Sequence, residues 1–396
     1  MGDRGPLSAV HWTVHFRLSL VATGRARGST SGSGSGRGVS GHGLVLGKFY
    51  PFHAGHSHLI REAERHSDRV SVQVLGSSVE TIPLDVRAEW IREAHPSVRV
   101  VSAMDDAPVD FASASAWDEH MLVITALLDA PVDTVFSSDE YGGELARRLN
   151  ARWVQVDPGR QLNPVSGTAI RADVAGHWRE LNPAVRAWLT ARVVILGAES
   201  TGSTTLSKAL ADQLDTLWVA EYGREYSEIR EGGLDSPWQS LEFELIVDRQ
   251  IAMEERALRE VPKPVLVCDT DVLATALWHE RYVGSVAGSI HDRAHKHRPM
   301  LYVLTGDEIP FIQDGMRDGE HIRHGMQQRF REVLAAQPAP WIEVTGSVER
   351  RIDAIMRQIP PLLAAHLQFG VPLEARSLEE QRAVQRATAE THAPAR

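Results

Sequence analysis

Leu44-Val45-Leu46-Gly47-Lys48-Phe49-Tyr50-Pro51-Phe52-His53-Ala54-Gly55-His56 is the stretch from which the fold can be read. Its first three residues suit a buried strand, and Leu59, Ile60 and Ala63 beyond it recur at helical spacing, so both histidines fall where strand gives way to helix. Phosphates bind at such turns. Backbone N–H groups at a helix N-terminus point outward at the positive end of the dipole, and Gly55 has no Cβ to hold a phosphate at a distance. His53 and His56 can donate to the same phosphoryl oxygens. Donors already in place stabilise the charge on a group in transfer more than they stabilise its ground state.

Outward from this turn, apolar runs alternate with helical patterns. Residues 70–75, 98–101, 132–136 and 152–156 read as strands, with helices over 84–94, 114–128 and 140–149 between them. The alternation predicts a parallel, doubly wound α/β domain that binds ligands at the carboxyl ends of its strands. After the strand at 152–156, Ser166-Gly167-Thr168-Ala169-Ile170-Arg171 opens another helix, and its arginine can meet a leaving pyrophosphate. Alone, that pattern is also a serine N-cap with a surface arginine. Paired with His-x-Gly-His and the upstream Lys48, it is the pattern of nucleotidylyltransferases.

A second start follows at Val193-Val194-Ile195-Leu196, continued by Gly197-Ala198-Glu199-Ser200-Thr201-Gly202-Ser203-Thr204-Thr205-Leu206. The spacing is that of a P-loop, whose amides cradle phosphates ahead of a helix. Ser203 stands at the lysine position, and Thr204 where the magnesium-ligating hydroxyl belongs. Without that lysine, ATP binding or transition-state stabilisation weakens unless another cation substitutes, and Lys208 is expected to point away from the loop. The alternative is a purely structural loop. Pro264 to Asp271 is an apolar strand ending in two acids, placed like a Walker B carboxylate, although acids there also serve as helix caps. After a strand at 300–304, Asp314-Gly315-Met316-Arg317-Asp318-Gly319 and then Arg323 suit a lid over phosphates, or a solvated surface loop. Residues 341–344 read as an edge strand and 348–367 as a closing helix.

With 396 residues, 43% hydrophobic and 24% charged, the chain has room for two or three globular domains. A formal net charge of −10 argues against a general binder of nucleic-acid backbones. The lone Cys268 sits in an apolar run, cannot form an internal disulfide and fits a reducing compartment. No apolar stretch is long enough to span a bilayer, His11, His15 and Arg17 interrupt the mildly apolar start, and Pro6 stands where a myristoylation motif wants Ser or Thr. A cytoplasmic protein with no membrane or nucleic-acid partner is expected. The segmentation read from these patterns is a disordered Gly/Ser-rich stretch at 1–42, α/β domains at 43–190 and 191–370, and a polar tail at 371–396 that frays beyond Glu374.

The order of these pieces resembles the NadR-type family, a nicotinamide-nucleotide adenylyltransferase fused to a ribosylnicotinamide kinase, over residues 43–367. The resemblance implies two doubly wound parallel-sheet domains, the second P-loop kinase-like. It implies that Lys48, His53, His56 and Arg171 handle ATP in the first half, with Gly47, Phe49, Gly55, Ser166 and Thr168 among the ATP contacts. Trp117 lies in a segment similar to that family's nicotinamide-binding helix, where an indole face can stack on a pyridinium; a core tryptophan is the other reading. Glu221-Tyr222-Gly223-Arg224 looks like the segment contacting nicotinamide riboside. In the second half, Gly197, Gly202, Ser203, Thr204 and Thr205 would hold ATP, Asp269 would be the catalytic carboxylate, and Thr204 and Asp269 would hold Mg²⁺ arriving with ATP.

Two departures follow. The Gly/Ser-rich start leaves no room for the helix-turn-helix domain of the family's repressors, so no DNA binding is expected, and Ser203 makes kinase activity less secure than adenylyl transfer. An adenylyltransferase with a degenerate kinase half, a nucleotidylyltransferase with another phosphorylated acceptor, and a non-catalytic nucleotide sensor stay open, as does self-association.

Overall fold

The computed structural model describes residues 41–391, apart from 234–235, 286 and 314–319. Most of the Gly/Ser-rich stretch at 1–42 and the lid loop with Arg317 therefore lie outside the described residues.

The first half runs β1 (His42–Gly47), α1 (Ala54–His66), β2 (Arg69–Gly76), α2 (Leu84–Ala94), β3 (Arg99–Met104), α3 (Ala114–Ala126), β4 (Thr134–Ser137), α4 (Tyr141–Leu149), β5 (Arg152–Gln155), α5 (Gly167–Ala172) and α6 (Pro183–Leu189). Its parallel sheet has the order β3-β2-β1-β4-β5, with Leu44 opposite Ser71 on one side and Val135 on the other. The chain runs outward from β1 to β3, returns, and runs the other way through β4. The gap between β1 and β4 is thus the switch point at which doubly wound sheets open a crevice for ligands. Leu44 and Val45 are fully buried, as a strand covered on both faces requires. Leu59, Ile60 and Ala63 form the buried face of α1, as their spacing predicts.

The second half runs β6 (Ala191–Leu196), α7 (Ser203–Leu214), β7 (Trp218–Val219), α8 (Tyr222–Ile229), α9 (Ser240–Glu260), β8 (Val265–Asp269), α10 (Val272–Val283), α11 (Gly288–Lys296), β9 (Leu301–Thr305), α12 (Glu320–Ala335), β10 (Trp341–Val344) and α13 (Val348–His366). Its sheet is again parallel, in the order β10-β9-β6-β8-β7. The strand leading to the P-loop is central, β8 with Asp269 at its end lies beside it, and β10 is at the edge.

Beyond α13 the chain differs from its expected fraying. A 3₁₀ turn at Leu373–Ala375 leads into α14 (Leu378–Thr391), which docks on the first half. The Val109 N–H donates to Gln381 Oε1 at 2.6 Å, Gln385 Nε2 donates to Glu119 at 2.6 Å, and the Ser78 and Thr388 hydroxyls lie 3.2 Å apart. The contacts named are polar, and the helix carries few large apolar side chains, so its sequence reads as a solvated tail.

Candidate active sites

A cavity of about 530 Å³ opens at the carboxyl ends of β1 and β4, and it gathers residues that the sequence holds far apart. Gly47, Lys48, Phe49, His53, Gly55 and His56 line it from the β1–α1 turn, Trp117 from α3, and Ser166, Thr168 and Arg171 from α5. Arg171 joins the two motifs: Nη1 donates to the Tyr50 carbonyl at 2.6 Å, and Nη2 to Thr168 Oγ1 at 3.2 Å. Ser166 is both a cavity residue and the cap of α5, accepting from the Ala169 N–H at 3.1 Å. Trp117 is buried as a core tryptophan is, and it still reaches the cavity. Its indole N–H donates to the Phe111 carbonyl.

His53 caps α1, and its Nδ1 accepts from the Gly55 N–H at 3.1 Å. With Nδ1 used as an acceptor, a neutral ring carries its proton on Nε2. A Cβ on Gly55 would stand 3.1 Å from the His53 ring, so the glycine lets the cap close. His56 is enclosed by Phe49 and Phe52, with ring centroids at 4.9 and 6.2 Å, and its buried Nδ1 has no hydrogen-bond partner among the described residues. Burial, and then the Arg160 charge, bring His53 down to about 3; burial and the His53 and Arg160 charges hold His56 well below its ordinary value. Both rings are therefore neutral donors before a phosphate arrives.

Arg160 was not legible as a site residue. It lines the cavity from an Asp-Pro-Gly-Arg turn in which Asp157, Gly159 and Arg160 all take positive φ, and its guanidinium is held by Asp139 at 3.1 and 3.3 Å. A turn signal in the sequence reads as surface punctuation. The only clue was its place between the strand at β5 and Ser166.

The second cavity, of about 300 Å³, lies over the P-loop. Gly197, Gly202, Ser203, Thr204 and Thr205 line it, with Glu221 and Arg224 from the start of α8. Thr204 Oγ1 donates to Asp269 Oδ2 at 2.6 Å, placing hydroxyl and carboxylate side by side. A side chain at Gly197 would collide with Thr305 Oγ1 at 2.3 Å, and Gly202 takes φ +84, so both loop glycines are required by geometry. Arg351 Nη1 donates to the Thr201 carbonyl at 2.7 Å and Arg323 Nη2 to the Ser200 carbonyl at 3.1 Å. Both arginines are buried and hold P-loop carbonyls, which leaves loop amides for an anion. Arg323, expected in the lid, is thus a brace on α12 beneath the loop.

The two acids at the end of β8 and just beyond it have separate tasks. Asp271 caps α10, accepting from the Leu273 and Ala274 N–H groups, and receives the Tyr302 hydroxyl at 2.9 Å. Asp269 faces the P-loop. Burial raises its carboxyl above the usual range, while hydrogen bonds from Thr204 and Ser203 and the charges of Lys208 and Arg224 oppose that rise. Lys208 is not among the residues lining this cavity, in keeping with the expectation: its Nζ stands 4.6 Å from the Trp218 ring centroid, and only its charge is felt at Asp269. Burial, then the neighbouring Asp269 charge, pushes Glu221 up to about 8, so it is largely protonated near neutrality.

Tyr222 is not among the residues lining this cavity. It packs on Tyr226, with ring centroids 6.3 Å apart, and its N–H donates to Gln250. The aromatic wall is supplied instead by Trp238, Phe243, Trp278 and Tyr282. Those four come from α9, α10 and the loop before α9, and no local pattern marks them as a group.

Sheets, glycine-rich turns and the two cavities define a nucleotidylyltransferase-like domain followed by a P-loop kinase-like domain. Family models agree with this division: residues 44–173 match a cytidylyltransferase-like family and residues 192–351 an AAA domain. The particular likeness is to NadR. The chain is 25% identical over 324 residues to the trifunctional NAD biosynthesis/regulator protein NadR of Escherichia coli (strain K12), covering 76% of this chain and 78% of the relative. It is equally similar, 25% over 322 residues, to the protein of that name from Salmonella typhimurium, with the same coverage. A crystal structure of NadR in complex with NR superposes with a TM-score of 0.62 at 21% identity, covering 81% of this chain and 96% of that one. A second, with NAD and AMP-PNP, gives 0.59 at 22% with the same coverage. The resemblance drawn from the motifs holds through both α/β halves.

Proposed function

We propose that this protein is a two-step NAD-salvage enzyme that phosphorylates nicotinamide riboside over the P-loop and adenylylates the resulting mononucleotide in the first cavity. One observation carries the reading: a single chain holds two separate cavities, one lined by two histidines with Lys48 and Arg171, the other by the P-loop with Thr204, whose hydroxyl donates to Asp269, itself not a lining residue. The reading assigns residues 43–190 to adenylyl transfer and 191–370 to the kinase. It includes no nucleic-acid partner, which the net charge of −10 supports, and no described helix is long and apolar enough to cross a membrane.

In the kinase step the riboside 5′-hydroxyl attacks the γ-phosphate of ATP, its proton passes to Asp269, a carboxylate made more basic by burial, and the β–γ bridging P–O bond breaks to release ADP. Protonated Glu221 can donate to a riboside hydroxyl, and the Trp238, Phe243, Trp278 and Tyr282 wall offers ring faces to the cationic pyridinium. Arg224, which lines the cavity, is placed to take over charge left uncovered by Ser203. Thr204 and Asp269 supply oxygen donors of the kind Mg²⁺ prefers and would hold an ion arriving with ATP, whose chemistry there would be neutralisation of phosphate charge. In the transfer step the mononucleotide phosphate attacks the α-phosphate of a second ATP and pyrophosphate leaves. His53 and His56 donate to the reacting phosphoryl group, while Lys48 and Arg171 hold the triphosphate.

Ser203 favours a narrower second reading, in which only the mononucleotide is converted and the kinase half is silent. Incubating the protein with nicotinamide riboside, ATP and magnesium separates the two. NAD among the products supports both steps in series; NAD made from the mononucleotide but not from the riboside supports the narrower reading; NAD from neither overturns both.

A further inference from the structure

Lys48 is held between two carboxylates that are not alike. Its ammonium lies 3.1 Å from Glu80 Oε1 and 2.5 Å from Glu374 Oε2. The Glu80 side chain is fully buried and also accepts from Arg87 Nη1 at 2.6 Å, so it is fixed within the first half. Glu374 comes from the far end of the chain, its side chain is 42% exposed, and among the described residues Lys48 is its ion-pair partner. It lines the same cavity as both histidines and Arg171.

This contact is held from either side. Leu373, next in sequence, is buried. Gly370 donates its N–H to Thr81 Oγ1 at 3.1 Å and accepts the Tyr50 hydroxyl at 3.2 Å, and a Cβ there would come within 2.1 Å of the Val79 carbonyl oxygen. The Phe369 ring meets Tyr50 edge-on at 5.7 Å, and Gln381 is bonded to Val109 further along. Tyr50 belongs to the β1–α1 turn itself and is bonded to Arg171. The segment is therefore seated on the site's own backbone, with Glu374 in its middle.

We propose that Glu374 is a positioning residue of the first cavity: it keeps Lys48 in place as a resident anion and is exchanged for a phosphate when a nucleoside triphosphate enters. The inference rests on the adenylyl-transfer reading. A carboxylate and a phosphate cannot both have the full charge of one ammonium, and the partly exposed partner without a second cation is the one that yields. Of the two, that partner is Glu374.

The test is Glu374→Gln in the full chain, read as pyrophosphate release from ATP and nicotinamide mononucleotide. KM for ATP should fall about two- to fivefold, the scale of a partly exposed ion pair, and Glu374→Asp should restore part of the original value. The effect should vanish on a Lys48→Gln background, because the carboxylate acts through the ammonium. An unchanged or raised KM, or the same fall without Lys48, overturns the proposal. If the unaltered protein releases no pyrophosphate at all, the adenylyl-transfer reading fails instead, so the two failures are distinguishable.

Discussion

The imidazoles of His53 and His56 lie face to face, their centroids 3.7 Å apart and their planes at 27°. Two charged rings could not stack so closely without a counter-ion, and the Arg160 charge nearby adds to the penalty. The arrangement is a pair of neutral donors facing a cavity that receives anions. Replacing His56 with Ala should lower the rate of NAD formation from the mononucleotide about 10²- to 10³-fold, the cost of removing one preplaced donor. Circular dichroism should show the fold retained; turnover within twofold of the unaltered protein would remove His56 from the reaction.

Acid should unfold the first half through these same residues. His53 titrates near 6.5 in the unfolded chain and at about 3 in the fold, so the unfolded state binds the extra proton between those values. The stability tied to its neutral form is fully present above pH 6.5 and is lost as pH falls toward about 3. Denaturant midpoints measured from pH 7 to pH 4 should fall more steeply for the unaltered protein than for His53→Asn. Parallel curves would contradict this account.

Returning the P-loop lysine offers a test of the second site. Ser203 begins α7 and lines the second cavity, so Ser203→Lys places a cation beside the phosphates. Phosphorylation of the riboside should rise about tenfold or more in kcat/KM, less than the roughly 10²-fold or more that a fully preorganised charge contributes to phosphoryl transfer. No gain would mean that a resident cation, with Arg224 the foremost candidate, already covers that charge.

Asp269→Asn should cut riboside phosphorylation about 10²- to 10⁴-fold, as expected for loss of a general base. Conversion of the mononucleotide to NAD should stay within twofold, because Asp269 bonds to Thr204 in the second cavity and lines no part of the first. A parallel loss of both activities would show that the sites are not separable.

The sequence was most informative where function is carried by a contiguous turn. The β1–α1 turn, the Ser166–Arg171 segment and the P-loop each combine glycine freedom, a helix start and a polar side chain within ten or so residues, and all three line cavities. Contacts between distant segments left no such trace. Arg160 resembled an ordinary turn residue, the four aromatic residues over the P-loop come from three parts of the chain, and Tyr222 turned out to pack sideways on Tyr226. Asp269 and Asp271 look equivalent in sequence. Only the bonds to Thr204 and to the α10 amides separate the site residue from the cap.

Lys48 and Glu374 are separated by 326 positions. At ribosomal rates of roughly 5 to 20 residues per second, the first cavity is synthesised tens of seconds before the segment that seats itself upon it. During that interval a nascent first half would present its lysine without the late-arriving carboxylate, and the finished protein would differ from its own folding precursor at the mouth of its first site. A segment made late is thus also a wall of a cavity whose other sides are made early.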